Sequence, residues 1–114
     1  MLTLIELGST PQSGRTTIMT STLNGLQQWG FTPVMVKPTV EYAISAIRHH
    51  PGRHAAFPIA CPRSAMMWLE DRSKLTEKIA IGLDDANLFD TRPIIDELTA
   101  LSEAGRNIIL ITAS

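Results

Sequence analysis

At 114 residues the chain has room for one domain with a lean core, and little sequence is left over for a separate substrate domain. Hydrophobic residues at 44% and charged residues at 18% are ordinary for a globular protein, and ten Lys and Arg against eleven Asp and Glu give a net charge of -1. Nothing in that balance suggests a basic footprint for nucleic acid or an acidic tail. Cys61 is the only cysteine, so no intrachain disulfide can form and a self-contained structural zinc site is not expected. Residues 1–7 are apolar but too short and too uncharged at their flank for a secretory signal, and no run approaches a membrane span. The expectation is a cytosolic protein that neither crosses a membrane nor binds nucleic acid.

In chain order, short apolar runs alternate with longer helical patterns, the signature of βαβ units. Residues 2–7 read as a first strand, closed by Gly8, Ser9, Thr10 and Pro11. Over residues 16–29, Ile18, Met19, Leu23, Leu26 and Trp29 recur at helical spacing, and Gly30 stands where a helix C-cap wants glycine. Val34-Met35-Val36 forms a second strand within residues 33–37, stopped by Pro38. Residues 42–48 make a short helix that Pro51 and Gly52 break. Residues 55–60 suggest a brief strand, which Pro58 demotes toward an edge. Residues 63–75 carry a helical pattern, and residues 79–83 an apolar strand that ends in Asp84 and Asp85. Pro93 suits the first turn of a helix lined by Ile94, Ile95, Leu98 and Leu101, with Gly105 as its stop. Residues 107–112 are the last strand.

Near-continuous apolar strands of this kind are covered on both faces. The expected fold is a three-layer α/β domain with a mainly parallel sheet of about five strands. Right-handed crossovers then bring every strand-to-helix loop to one sheet edge, outside the carboxyl ends of the strands, where such sheets bind ligands. The loop after the first strand and Asp84-Asp85 should therefore be neighbours.

A phosphate-binding loop needs small residues that let backbone N–H groups converge, a cation, a hydroxyl for magnesium and a helix N-terminus. Ser9, Thr10, Pro11, Gln12, Ser13, Gly14, Arg15, Thr16 and Thr17 offer all four, with Arg15 at the usual lysine position and Thr16 as the hydroxyl. The first glycine position is taken by Ser9. An ordinary Gly/Ser/Pro loop opening a helix is the alternative, but a carboxylate at the end of an apolar strand is what a P-loop site uses to hold magnesium through water. Asp84 fills that role, and Asp85 stands where a carboxylate could orient an attacking hydroxyl or take its proton.

Together these segments resemble the type II thymidine kinases. Ser13-Gly14-Arg15-Thr16 with Val34-Met35-Val36-Lys37-Pro38 is similar to that family's loop and second strand. The run Ile81-Gly82-Leu83-Asp84-Asp85-Ala86-Asn87-Leu88-Phe89 is similar to its magnesium strand, and Leu101 to Leu110 to its closing segment. A remoter likeness to RecA-like ATPases competes for the fold. The resemblance implies a P-loop domain that binds ATP with Mg²⁺, Thr16 and Asp84 serving the metal and Asp85 catalysis. Arg15, Asp85 and Asn87 depart from the family's lysine, glutamate and glutamine. The family also continues past this last strand with a thymine-enclosing loop and a cysteine-rich zinc region. The resemblance therefore implies a fold and a nucleotide site, and not a working nucleoside pocket.

Two function classes follow: an ATP-dependent thymidine kinase-like enzyme or a fragment of one, and a degenerate member that keeps the scaffold and works through a protein partner or homo-oligomer. The departures favour the second. Ala65-Met66-Met67-Trp68-Leu69 cannot all face one core, so Met66, Met67 and Trp68 are candidates for an interface; a helix lodged between the sheet and another element of the chain is the alternative. His49, His50, His54 and Cys61 tempt as a metal cluster, but adjacent histidines diverge in direction. A polar loop around Pro51-Gly52 is the favoured reading over zinc.

Overall fold

The computed structural model describes residues 1–8, 12–49, 57–72 and 78–114. Five strands and four helices alternate along it: β1 (Leu2–Leu7), α1 (Gln12–Gln27), β2 (Thr32–Val36), α2 (Val40–His49), β3 (Ile59–Ala60), α3 (Pro62–Arg72), β4 (Lys78–Leu83), α4 (Arg92–Glu103) and β5 (Asn107–Ala113). A single 3-10 turn, Ala86–Leu88, follows β4. Strands joined through helices cannot pair as hairpins, and every pairing in the sheet is parallel, in the order β1-β5-β4-β2-β3. Right-handed crossovers in that order carry α1 and α2 over one face and α3 and α4 over the other. The result is the expected three-layer α/β domain.

Strand alternation divides the core between the two faces. Val34, Val36, Ile79, Ile81, Leu83, Ile108 and Leu110 point toward α3 and α4, where they meet Ala65, Leu69, Ile94 and Leu98. Met35, Ala80, Ile111 and Ala113 point the other way and meet Met19 and Leu23 of α1. Burial on both faces is why β2, β4 and β5 read as unbroken apolar runs.

Pro33 and Pro58 both lie along the side of β2 that faces β3. Met35 and Lys37 donate their N–H groups to Pro58 and Ala60 on the β3 side, at 3.0 and 2.8 Å. Pro33 has the same parity, and among the described residues β3 pairs with Met35 and Val36, so the N–H that Pro33 lacks is not one that these pairings use. Pro58 precedes a two-residue edge strand, as expected of it. Gly30 and Gly105, at φ 87° and 97°, close α1 and α4 with paired C-terminal bonds, Phe31 N–H to Leu26 and Arg106 N–H to Leu101.

Three local expectations change. Helix α1 begins at Gln12, so Gly14 and Arg15 lie in its first turn and not in a loop before it. Ile18 and Trp29 share helical spacing with the core residues, yet Trp29 lies beyond the helix end and is 73% exposed, while Ile18 is exposed on the outer side. Among the described residues β1 pairs with β5 alone, at the edge of the sheet, and Leu4 is 54% exposed. Composition alone does not distinguish such an edge from a central strand.

Candidate functional site

The carboxyl ends of β2 and β4 lie side by side. Val36 pairs with Leu83, which brings the next residues, Lys37 and Asp84, abreast. The ladder runs one step further, with Asp84 N–H donating to Val36 C=O at 3.0 Å. By strand parity Lys37 follows Met35, and Asp84 follows Ala80 and Gly82, onto the α1 face. Two opposite charges thereby meet inside the domain, and the Lys37 ammonium bonds Asp84 Oδ2. Lys37 is 7% and Asp84 2% exposed.

An ionised carboxylate so deeply buried must be compensated, because its loss of hydration costs several kcal/mol. Three donors do this. The Lys37 ammonium and Thr16 Oγ1, at 2.9 Å, donate to Oδ2, and Asp85 N–H donates to Oδ1 at 3.1 Å. Thr16 reaches Asp84 although β5 lies between the strands that lead to them. Helix α1 crosses over β5 and closes on β4. It can come so near because position 82 is glycine: a Cβ there would lie 2.6 Å from Met19 Sδ and 3.1 Å from Leu23 Cδ1. Thr16, Met19 and Leu23 share one face of α1 at i, i+3 and i+7. The core contact beneath and the polar contact above are thus one rigid approach of helix to strand.

Asp85 turns the chain out of the sheet in a left-handed conformation, φ 53° and ψ 45°. Aspartate is among the few residues that tolerate that region. Its C=O accepts Leu88 N–H at 2.9 Å, which starts the 3-10 turn.

Of the sequence-derived loop residues, Ser9, Thr10 and Pro11 lie outside the described residues, and of Gln12 and Ser13 the helical backbone alone is described. Gly14 and Arg15 are half-buried in the first turn of α1, and Thr17 is exposed. The first four N–H groups of an α-helix have no acceptor within it, so the start of α1 aims a partial positive charge outward at the edge that holds Asp84. Thr16, Asp84 and Asp85 are brought together as expected. Lys37 is the participant that the reading of motifs did not place in the site. The signal was present, a lysine closing an apolar strand at the ligand-binding edge, but its partner is set by the register of β2 on β4.

Thr16 Oγ1 and Asp84 Oδ2 are hard oxygen donors of the kind Mg²⁺ takes. Their fit to a directly bound metal is incomplete, because Oδ2 already accepts from both Thr16 and Lys37.

The candidate interface residues on α3 separate. Ala65 and Leu69 are buried, Met66 and Trp68 pack half-buried against the same core, and only Met67, 61% exposed, faces outward. The five consecutive apolar residues are accommodated mainly by core packing, so Met66 and Trp68 do not form an open patch with Met67. Exposed apolar side chains gather instead on α2, where Val40, Ile44 and Ile47 recur at i, i+4 and i+7. His50 and His54 lie outside the described residues. No described helix is long and apolar enough to cross a membrane. Compared with known proteins, the chain matches no family model and no curated sequence.

Proposed function

We propose that this chain is a thymidine kinase-like, nucleotide-binding domain of the cytosol that holds ATP by its phosphates and does not phosphorylate a nucleoside on its own. The observation that carries the reading is the hydrogen bond from Thr16, in the second turn of α1, to the buried Asp84 at the end of β4. It joins the positive end of a helix, a hydroxyl and a carboxylate at the ligand-binding edge of a parallel sheet. Phosphate oxygens would take the N–H groups of the first turn, with Arg15 supplying charge. Mg²⁺ accompanying the nucleotide would meet Asp84 through water, with the Thr16 hydroxyl beside it.

Transfer chemistry has weaker support. Phosphoryl transfer is catalysed almost wholly by positioning and charge. Arg15 is a planar fork where the resembled family has a compact ammonium. Asp85 is one methylene shorter than the family's glutamate, and a displacement of about 1 Å can cost a rate factor near a hundred. Calorimetric titration with ATP tests the binding: Arg15→Ala and Thr16→Val should each weaken it about tenfold, the loss of one charge-assisted contact. Affinity indifferent to both changes refutes the site. Labelled phosphate transferred to thymidine in proportion to protein, and lost in Asp85→Ala, would instead establish the active kinase.

A scaffold role through a protein partner or homo-oligomer is the companion proposal. Val40, Ile44 and Ile47, exposed together on α2, favour it, since apolar side chains gathered on one face of a small domain are a feature of interaction surfaces.

A further inference from the structure

We infer that Lys37 is a built-in cation of the phosphate site, competing with divalent metal for Asp84 and allowing nucleotide phosphates to bind without Mg²⁺. The inference rests on the nucleotide-binding reading above and adds to it which group neutralises the anion.

Asp84 Oδ2 accepts from Thr16 Oγ1 at 2.9 Å and from Lys37 Nζ, and Oδ1 accepts from Asp85 N–H at 3.1 Å. A metal bonded directly to Oδ2 would have to evict one of its two donors, and a metal held through water would sit beside a like charge. Lys37 itself is not used up by Asp84. An ammonium has three donors, and its described partner takes one. Among the described residues the other two N–H groups have no acceptor, and they could meet phosphate oxygens, which lack donors of their own. The lysine stem is flexible, unlike a guanidinium fork, so Nζ can adjust to a phosphate while keeping its bond to Asp84, without moving β2.

Placement agrees with this use. Lys37 leaves β2 at its carboxyl end, on the α1 face, abreast of Asp84 and therefore beside Thr16. It is the cation that reaches the carboxylate, whereas Arg15, the loop residue in the usual lysine position, lies on the first turn of α1. The charge that a conventional loop delivers from the helix start here comes from the neighbouring strand. Without ligand, Lys37 neutralises Asp84. With a polyphosphate bound, the same ammonium is shared between two anions, which is the task that a bridging divalent ion performs elsewhere.

The test is isothermal titration of the full chain with ATP, in EDTA and in excess Mg²⁺. Wild type should bind with affinities within about threefold of each other in the two buffers, a difference well below one charge-assisted hydrogen bond. Lys37→Met should lose about tenfold or more in EDTA, with Mg²⁺ restoring part of it. Because Lys37→Met leaves Asp84 buried and uncompensated, the double variant Lys37→Met with Asp84→Asn provides a neutral pair that keeps the fold. It should lose metal-free binding to the same extent, and Mg²⁺ should not restore it. Wild-type binding that is more than about tenfold tighter with Mg²⁺ than in EDTA overturns the inference and leaves the nucleotide site standing. So does a double variant whose affinity in EDTA equals wild type. Absence of ATP binding in both buffers removes the nucleotide reading, and the inference with it.

Discussion

Gly82→Ala tests whether helix packing sets the geometry of the site. The added Cβ would lie 2.6 Å from Met19 Sδ, 2.9 Å from Met19 Cγ and 3.1 Å from Leu23 Cδ1. Relaxed contacts between such atoms run at about 3.5–4.0 Å, so Met19 or the whole of α1 must withdraw by about 1 Å. Met19 and Leu23 are both fully buried, so any retreat must be made against their neighbours in the core. Overpacking of this kind costs about 1–3 kcal/mol. Removing a glycine from a strand interior returns about 0.5–1 kcal/mol. The net expectation is a loss of about 1–2 kcal/mol, read in urea unfolding, or about 4–8 °C in Tm at roughly 4 °C per kcal/mol for a chain of this size. The same withdrawal would stretch the 2.9 Å Thr16–Asp84 bond past hydrogen-bonding distance, and nucleotide affinity should fall with stability. Met19→Ala alone should cost about 2–5 kcal/mol through its cavity. Combined with Gly82→Ala it should cost less than the sum, by about 0.5 kcal/mol or more, because the new methyl fills vacated space. A Gly82→Ala chain as stable as wild type, or strict additivity in the double variant, refutes the claim that this contact sets the approach of α1.

Four further outcomes follow from individual contacts. Gly105→Ala should cost about 1–2 kcal/mol in urea unfolding purely through its backbone, since φ is 97° and its Cβ would meet nothing within 4 Å. Trp68→Phe should be close to neutral in stability, because the indole Nε1 is buried without an acceptor among the described residues and deleting it offsets the lost volume. The Cys61 thiol is held below its ordinary range by hydrogen bonds from Ser64 and from the backbone at the start of α3; its iodoacetamide reaction should gain rate at lower pH than that of a free thiol, and Ser64→Ala should move the midpoint of that profile upward. Lys37→Met should destabilise by about 3–5 kcal/mol, whereas Lys37→Met with Asp84→Leu should unfold at wild-type urea concentration or above it, since a buried pair is costly to break and cheap to replace whole.

The order of elements was legible because its causes are local. Apolar runs of strand length, glycines at φ 87° and 97° and a proline in the first turn of α4 each act over a few residues. What escaped depends on pairing. Nothing within residues 2–7 says that β1 pairs with β5 alone among the described residues, or that Leu4 is exposed. The start of α1 was misplaced because Ser13 and Gly14 have weak helical preference, and tertiary packing outweighs that preference. Asp84 could be found from its position at a strand end. Its partner Lys37 lies 47 residues away in sequence, and only the register that aligns Val36 with Leu83 makes them neighbours. The half-burial of Met66 and Trp68 has a related cause: a helix facing a twisted sheet covers more than one narrow stripe, and it takes in side chains that a strict helical face leaves outside, while Met67 stays exposed.

The position of the Lys37–Asp84 pair bears on why it exists. A buried ion pair contributes little to stability over an apolar pair of the same volume, since the desolvation of both charges roughly cancels their attraction. The surroundings would accept such a replacement: Met35, Ala80 and Met19 already form an apolar layer on the same face. Folding alone therefore gives no reason for two charges at this point. The proposed nucleotide site would supply the reason: at the sheet edge Asp84 collects donors from α1, β2 and the turn that follows β4. Three elements with separate roles in the core are tied to one carboxylate at the place where parallel sheets meet their ligands. An anion arriving there would compete for two of those donors, the Lys37 ammonium and the Thr16 hydroxyl. Its binding would thus be felt by α1 and β2 together, and through Gly82 by the packing beneath them.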